Sequence, residues 1–171
     1  MRVDRWFAFV DLSGFTAFTD AEGDEAATAV LSQFRGVVRE TATDFTVRIA
    51  KWLGDGCMLV SVEPEAVVAA VCRLEQAVDD LQLPLSLHAG CAGGPVILLE
   101  GDDYTGRAVN LAARLAAVAP AHEIYAPADL GPYVPDGRHA EPAGMIAVPG
   151  FSDPVEVVRF GCGRAAGTVR A

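Results

Sequence analysis

Phe45-Thr-Val-Arg-Ile-Ala-Lys51 alternates with a period of two, and Cys57-Met-Leu-Val-Ser-Val62 follows it across Leu53-Gly-Asp-Gly56. The alternation predicts a strand, the Asp-Gly dipeptide a hairpin turn, and the second run its partner strand. Working outward from this hairpin, each side carries a helix and then a strand. On the N-terminal side Ala27, Val30, Leu31, Phe34, Val37 and Val38 recur at helical spacing, predicting an amphipathic helix from about Asp24 to Thr43. Before it, beyond a short turn of helix, Trp6-Phe-Ala-Phe-Val-Asp-Leu12 reads as a buried strand whose end delivers a carboxylate. On the C-terminal side Glu63-Pro-Glu opens a second helix, with Val67, Val71, Leu74, Val78 and Leu81 along one face. Leu85 to Cys91 is the next strand. The order β-α-β-β-α-β predicts an α+β, ferredoxin-like sandwich. Additions follow: a break at Gly93-Gly-Pro, a strand Val96–Leu99, a third helix, a brief strand His122–Ala126, and a closing hairpin of Gly144–Val148 with Val155–Phe160. Residues 1–160 read as one domain and 161–171 as a disordered tail.

Bulk composition narrows the function. The 171 residues are 51% hydrophobic and 21% charged, the balance of a soluble globular protein. Net charge is −10, from 23 acidic against 13 basic residues, which argues against a nucleic-acid backbone or an anionic membrane as partner. Anionic small substrates stay open, because a bound divalent metal inverts the local field. The cysteines at 57, 72, 91 and 162 lack C-x-x-C spacing and fit reduced, mostly buried thiols of a cytoplasmic chain. The N-terminus has no signal-peptide pattern, and no run approaches the ~18 apolar residues of a membrane helix.

Chemistry concentrates in a few residues. Asp11 ends a strand and Asp55 sits at the hairpin tip, and two carboxylates held close repel unless a cation lies between them. Mg²⁺ and its kin take such oxygen ligands together with substrate phosphates. Ser13-Gly14-Phe15-Thr16 opens a helix whose free N–H groups suit phosphate oxygens. In Gly101-Asp-Asp-Tyr-Thr-Gly-Arg-Ala-Val-Asn-Leu-Ala-Ala-Arg-Leu115, Asp103 precedes a helix on which Asn110 and Arg114 share a face. An acceptor, an amide and a permanent cation there suit a nucleotide. An acidic turn before a helix with a surface arginine gives the same pattern, and Lys51 alone reads as a solvated strand residue.

Taken together, Phe9-Val-Asp-Leu-Ser-Gly-Phe-Thr16, Lys51-Trp-Leu-Gly-Asp-Gly56, Gly90-Cys-Ala-Gly-Gly-Pro-Val96, Asp103–Arg114 and Val148–Val157 resemble the class III adenylyl/guanylyl cyclase catalytic domain, in order across residues 5 to 160. The resemblance implies an adenylyl cyclase that makes cyclic AMP and pyrophosphate from ATP. It implies Asp11 and Asp55, with the Leu12 carbonyl, as ligands of two Mg²⁺ or Mn²⁺ ions. It implies Lys51 and Asp103 as the purine-reading pair, Asn110 as the residue that orients the ribose, and Arg114 as the one that stabilises the α-phosphate in the transition state. It further implies a head-to-tail homodimer with composite sites, for which the alanine-rich third helix and Val96–Leu99 are candidate surfaces.

Base choice follows from hydrogen-bond polarity. Adenine offers an N1 acceptor and an N6 donor, which match a lysine donor and an aspartate acceptor, whereas guanine opposes like with like. The other readings are a guanylyl cyclase and a catalytically silent nucleotide-binding or regulatory domain. A diguanylate-cyclase relative is disfavoured, because Gly93-Gly-Pro-Val-Ile97 lacks the acidic pair that family places there. Two departures stand out. His88 holds a position where many members carry a basic residue and is read as structural, and Thr105 stands where relatives often have an aromatic.

Overall fold

The computed structural model describes residues 1–161. Its sheet is built around β1 (Arg2–Leu12), whose side chains alternate between two covered faces. Ala8, Val10 and Leu12 enter one core, and Phe7 and Phe9 the other. After β1 come α1 (Phe15–Glu22), α2 (Asp24–Asp44), β2 (Arg48–Leu53), β3 (Gly56–Ser61), α3 (Pro64–Asp80) and β4 (Leu87–Leu98). The four strands lie in the order β2-β3-β1-β4, each antiparallel to its neighbour, as the ferredoxin-like expectation requires. The second edge of β4 takes two strands. β5 (Tyr104–Thr105) pairs antiparallel at Ile97 and Leu98, and β6 (Ile124–Pro127) pairs parallel at Ala89 and Gly90. Beyond β6 the sheet is completed by β8 (Val155–Phe160) and β7 (Glu141–Ile146), the expected closing hairpin, except that its first strand lies at 141–146 and not at 144–148.

Helices cover both faces. Phe34 and Val38 of α2 and Val67, Val71, Leu74 and Val78 of α3 bury against Val10, Leu59 and Cys91. On the opposite face α4 (Arg107–Val118) sets Leu111, Ala112 and Leu115 onto Phe7, Met58, Ala92 and Val96. The spacing of Ala108, Leu111, Ala112, Leu115 and Ala116 makes this an amphipathic helix whose buried side is mostly alanine, so it can lie close to the sheet. Gly90 completes that approach: a Cβ there would collide with the Ala116 amide nitrogen and the Ala112 carbonyl oxygen.

Several expectations change. Gly93-Gly-Pro95 is no break, because β4 runs through it, paired with β1 from Arg2 to Leu12. Gly93 lies opposite Trp6, whose indole occupies the space a side chain would need. Pro95 falls between the stretches paired to β6 and β5, where β4 has no second neighbour to need its N–H. The strand predicted from Phe45 begins at Arg48, since α2 continues to Asp44 and the Phe45 amide caps it on the Thr41 carbonyl. Leu81 caps α3 and is 51% exposed instead of buried. Cys57, Cys72 and Cys91 are free and buried, as expected, while Cys162 and the rest of the tail from it onward lie outside the described residues.

The seat of α4 yields a stability prediction. Gly90→Ala forces backbone against a methyl group and should cost about 1–3 kcal/mol, the scale of core overpacking. Urea unfolding measures it, and an unchanged midpoint and slope would refute the close helix–strand contact.

Candidate functional site

Asp11 stands one residue before the end of β1, on the face shared with Phe7 and Phe9 and covered by α4. Asp55 approaches it from the β2–β3 turn. Leu53 pairs with Gly56, so the turn spans Leu53–Gly56 as expected, and its two loop residues are Gly54-Asp55 rather than the Asp-Gly dipeptide. Gly54 carries the positive φ of 62° that a turn with glycine at its first position requires. Gly56 serves another purpose: a Cβ there would collide with the Val10 carbonyl and sit 2.7 Å from Asp11 Oδ1. The glycine thus makes room for the Asp11 carboxylate. Arg35 of α2 fastens the tip, donating to the Gly54 carbonyl at 3.1 Å while its guanidinium lies 5.0 Å from the Trp52 ring centre.

The third member of this group is His88, paired with Asp11 across β1 and β4. Its Nδ1 lies 2.8 Å from the Ala116 carbonyl, which can only accept, so Nδ1 bears the proton. Nε2 faces Asp11 Oδ2 at 3.8 Å. Burial and, second, the Asp55 charge push the Asp11 carboxyl up to about 6, with His88 and the Leu12 amide opposing. Burial also pushes the Cys57 thiol up to about 12, helped by Asp11, so that thiol is inert. Two carboxylates that resist joint ionisation, beside a backbone carbonyl at Leu12, are a hard-oxygen donor set and fit a divalent cation of the Mg²⁺ or Mn²⁺ type.

Lys51 and Asp103 meet in a 2.7 Å ion pair. Strict alternation would put Lys51 on the face of Val47 and Ile49, against α2 and α3. A bulge prevents it: Ile49 pairs with Leu59 and Lys51 with Met58, leaving Ala50 as the extra residue. Lys51 therefore emerges on the α4 face, as does Arg48 opposite Val60. Asp103 also accepts the Tyr104 amide at 2.8 Å, and these contacts, the Lys51 hydrogen bond first, hold its carboxyl below the usual range. Tyr104 packs edge-on against Phe7 and takes a 3.0 Å hydrogen bond from Arg48, so it is a packing residue, while Thr105 is exposed.

Asn110 and Arg114 project from the outer face of α4 into an open cleft of about 500 Å³, walled opposite by Pro149-Gly150-Phe151-Ser152 of the β7–β8 turn. Ser13 spends its amide on the Ser86 carbonyl at 2.7 Å, and Gly14 adopts the left-handed conformation before α1. That leaves Phe15 and Thr16 as first-turn amides without intrahelical acceptors. The sequence-selected residues thus fall into groups: Asp11 with Asp55 and Leu12, Lys51 with Asp103, Asn110 with Arg114, and the start of α1.

Among the described residues, Glu75, Asp79 and His122 form another carboxylate–imidazole cluster, with ligand atoms within 4.8 Å of one another. Arg138 pairs with Glu75 at 3.3 Å and donates to the Cys72 carbonyl at 2.8 Å, while Ser86 holds His122 Nε2 at 2.6 Å. A guanidinium already balances this cluster, which ties the 138 region to α3. Sequence reading passed over Arg35 and Arg107 and gave His88 only a structural role. Helical spacing alone could have flagged Arg107, three residues before Asn110 on one face. Arg35 and His88 needed the fold.

No family model matches the chain. A Mycobacterium tuberculosis protein described as uncharacterised is 38% identical over 147 residues, 86% of this chain. The chain spans 38% of that relative's length. A pH-sensitive adenylate cyclase of the same species is 34% identical over 113 residues, 66% of this chain and 28% of that protein. Among solved structures, the adenylyl cyclase CyaB from P. aeruginosa superposes with a TM-score of 0.81 at 27% identity, covering 98% of both chains.

The Asp11 shift carries a signed pH prediction for the metal-free protein. A folded pKa near 6 against an ordinary 3.8 favours the protonated form. The stability it contributes is therefore present below the ordinary value and lost as pH rises through about 6. Melting temperatures from pH 4 to 7 should fall more for wild type than for Asp11→Asn, and saturating Mn²⁺ at pH 7 should raise only wild type. Parallel pH profiles for the two proteins would show that the Asp11 carboxyl is not raised in the folded chain.

Proposed function

We propose, from the premise that this chain belongs to the class III nucleotidyl cyclase catalytic domains, that it converts ATP to 3′,5′-cyclic AMP and pyrophosphate. The observation that carries this reading is the convergence of Asp11 and Asp55, two carboxylates from separate segments, with room cleared for the Asp11 carboxylate at Gly56. Asp11, Asp55 and the Leu12 carbonyl would hold the cations. Bound Mg²⁺ or Mn²⁺ would acidify the ribose 3′-hydroxyl and neutralise charge on the triphosphate. The Phe15 and Thr16 amides, presented by the Ser13-Gly14 turn, receive phosphate oxygens at the start of α1.

Lys51 and Asp103 read the base. Their ion pair is accessible to solvent, with side chains 42% and 44% exposed, so each can exchange its partner for a base edge. Lys51 donates to adenine N1 and Asp103 accepts from N6. Guanine would leave both contacts mispaired, a situation that discriminates by roughly 10⁴-fold in favourable sites. This disfavours a guanylyl cyclase. Asn110 orients the ribose, and Arg114, always charged, offers its planar fork to the equatorial oxygens of the α-phosphate. The 3′-oxygen attacks the α-phosphorus in line, and pyrophosphate leaves.

The site is shared between two chains arranged head to tail. Asn110 and Arg114 open onto the α4 cleft, whereas Asp11 and Asp55 converge at the end of β1, and this division supports a composite site. Each nucleotide then lies between the metal-binding carboxylates of one chain and the Lys51, Asp103, Asn110 and Arg114 set of the other.

Two experiments test this. Purified protein given ATP and Mn²⁺ should form cyclic AMP, quantified by mass, and Arg114→Ala should reduce the rate by ~10²–10³-fold. Equal rates for the two proteins would end the enzyme reading. Mixing inactive Asp55→Ala with inactive Arg114→Ala should restore about a quarter of wild-type activity, since random pairing makes half the dimers mixed and each has one intact site. Absence of rescue, with subunit exchange demonstrated, would exclude the shared site.

A further inference from the structure

Arg107 opens α4, three residues before Asn110 and seven before Arg114, and all three line the same open cleft of about 500 Å³. The opposite wall is the β7–β8 turn, closed by a 3.0 Å hydrogen bond from the Phe151 amide to the Val148 carbonyl. Phe151 presents its ring to Arg107, whose guanidinium carbon lies 4.6 Å from the ring centre. An aromatic face holds a guanidinium in place without neutralising it and leaves its in-plane N–H groups free to donate.

Net charge is −10, and Arg159 pairs with Glu123 and Glu141, Arg138 with Glu75, and Arg73 approaches Asp80. Among the described residues neither Arg107 nor Arg114 has a carboxylate within ion-pair distance. Two uncompensated guanidiniums on one helix face, opening on one cleft, form a site for an anion. Their spacing selects its length. Seven residues of helix rise about 10 Å, a span that two arginine side chains can narrow to the length of a diphosphate or triphosphate chain. A single phosphate would engage one of them.

We propose that Arg107, held by Phe151, is a second phosphate-binding cation of this cleft, gripping the terminal phosphates of a nucleotide while Arg114 takes the inner one, and binding inorganic pyrophosphate in the same way. The nucleotide part rests on the cyclase reading, whereas the pyrophosphate part does not. Fork-like donation to phosphate oxygens needs guanidinium geometry, so lysine is an incomplete replacement.

The test is calorimetric titration of the purified chain with inorganic pyrophosphate, without divalent cation, so that Asp11 and Asp55 contribute no metal bridge. Wild type should bind pyrophosphate more tightly than orthophosphate. Arg107→Ala should weaken pyrophosphate binding by about tenfold or more, the worth of a charge-assisted contact. Arg107→Lys should fall between the two, and Phe151→Leu should weaken binding while leaving Arg114 intact. Melting curves identify variants that remain folded, and Arg107→Lys serves if Arg107→Ala does not fold. Wild type that binds no pyrophosphate, or a folded Arg107→Ala that binds it as wild type does, overturns the proposal and leaves Arg107 as a packing partner of Phe151. A chain that makes no cyclic nucleotide yet loses pyrophosphate binding with Arg107 sustains the proposal and sinks the cyclase reading. An active enzyme whose Arg107→Ala variant keeps both its KM for ATP and its pyrophosphate affinity sinks the proposal alone.

Discussion

The placement of the candidate site depends on how closely α4 lies on β4. At Gly90 the absence of a side chain lets the backbone of Ala112 and Ala116 rest on the strand. The alanines on the buried side of the helix make that distance possible, and the leucines at 111 and 115 supply the apolar area that holds it. With the helix seated, its opposite face has one orientation available, and that face carries Arg107, Asn110 and Arg114. Two residues before Gly90, His88 takes the Ala116 carbonyl at the end of the same helix and reaches Asp11 with its other nitrogen. A single close contact therefore sets both the cationic face and the neighbour of the anionic group.

The charges are arranged in opposition. Asp11 is buried and held beside Asp55, and burial first, then the Asp55 charge, push its carboxyl up to about 6. Several local features hold them there: the glycine-first turn, the missing side chain at Gly56, and Arg35 fastening the hairpin tip to α2. Lys51 and Asp103 instead satisfy each other in a solvent-accessible pair that stabilises the fold little and can open to a ligand. Unfavourable charge suits a cation site, and loosely paired charge suits an exchangeable polar ligand. An overall charge of −10 is then no barrier to anionic substrates, because the cations that face the α4 cleft are not spent on neighbouring carboxylates.

Much of the fold could be read from periodicity. The helices over Asp24–Asp44 and Pro64–Asp80 carry a period of 3.6, and the hairpin around Gly54 and the closing hairpin are marked by short apolar runs flanking turn residues. The residue types were equally legible: Asp11, Asp55, Lys51, Asp103, Asn110 and Arg114 stand at motif positions and form recognisable chemical groups. Where reading failed, a longer-range contact had overruled a local signal. Gly93-Gly-Pro95 looked like a break because glycine and proline usually interrupt strands, but Trp6 fills the space at Gly93 and β1 pairs along the whole length.

Sequence by itself determined which groups this protein has and the order of the elements that carry them, since both follow from local chemistry and hydrophobic period. Tertiary structure alone decided which groups meet. The Ala50 bulge shows why: one unpaired residue turns Lys51 from the α2–α3 core to the α4 face, and no property of residues 48–53 announces it. With the bulge, β2 stays paired to β3 while Val47 and Ile49 lie in one core and Lys51 beside Asp103. Likewise, Phe151 comes to Arg107 from more than forty residues away along the chain. Contacts of that separation are set by strand pairing and helix seating, which depend on the whole sheet and leave no signature at any single position.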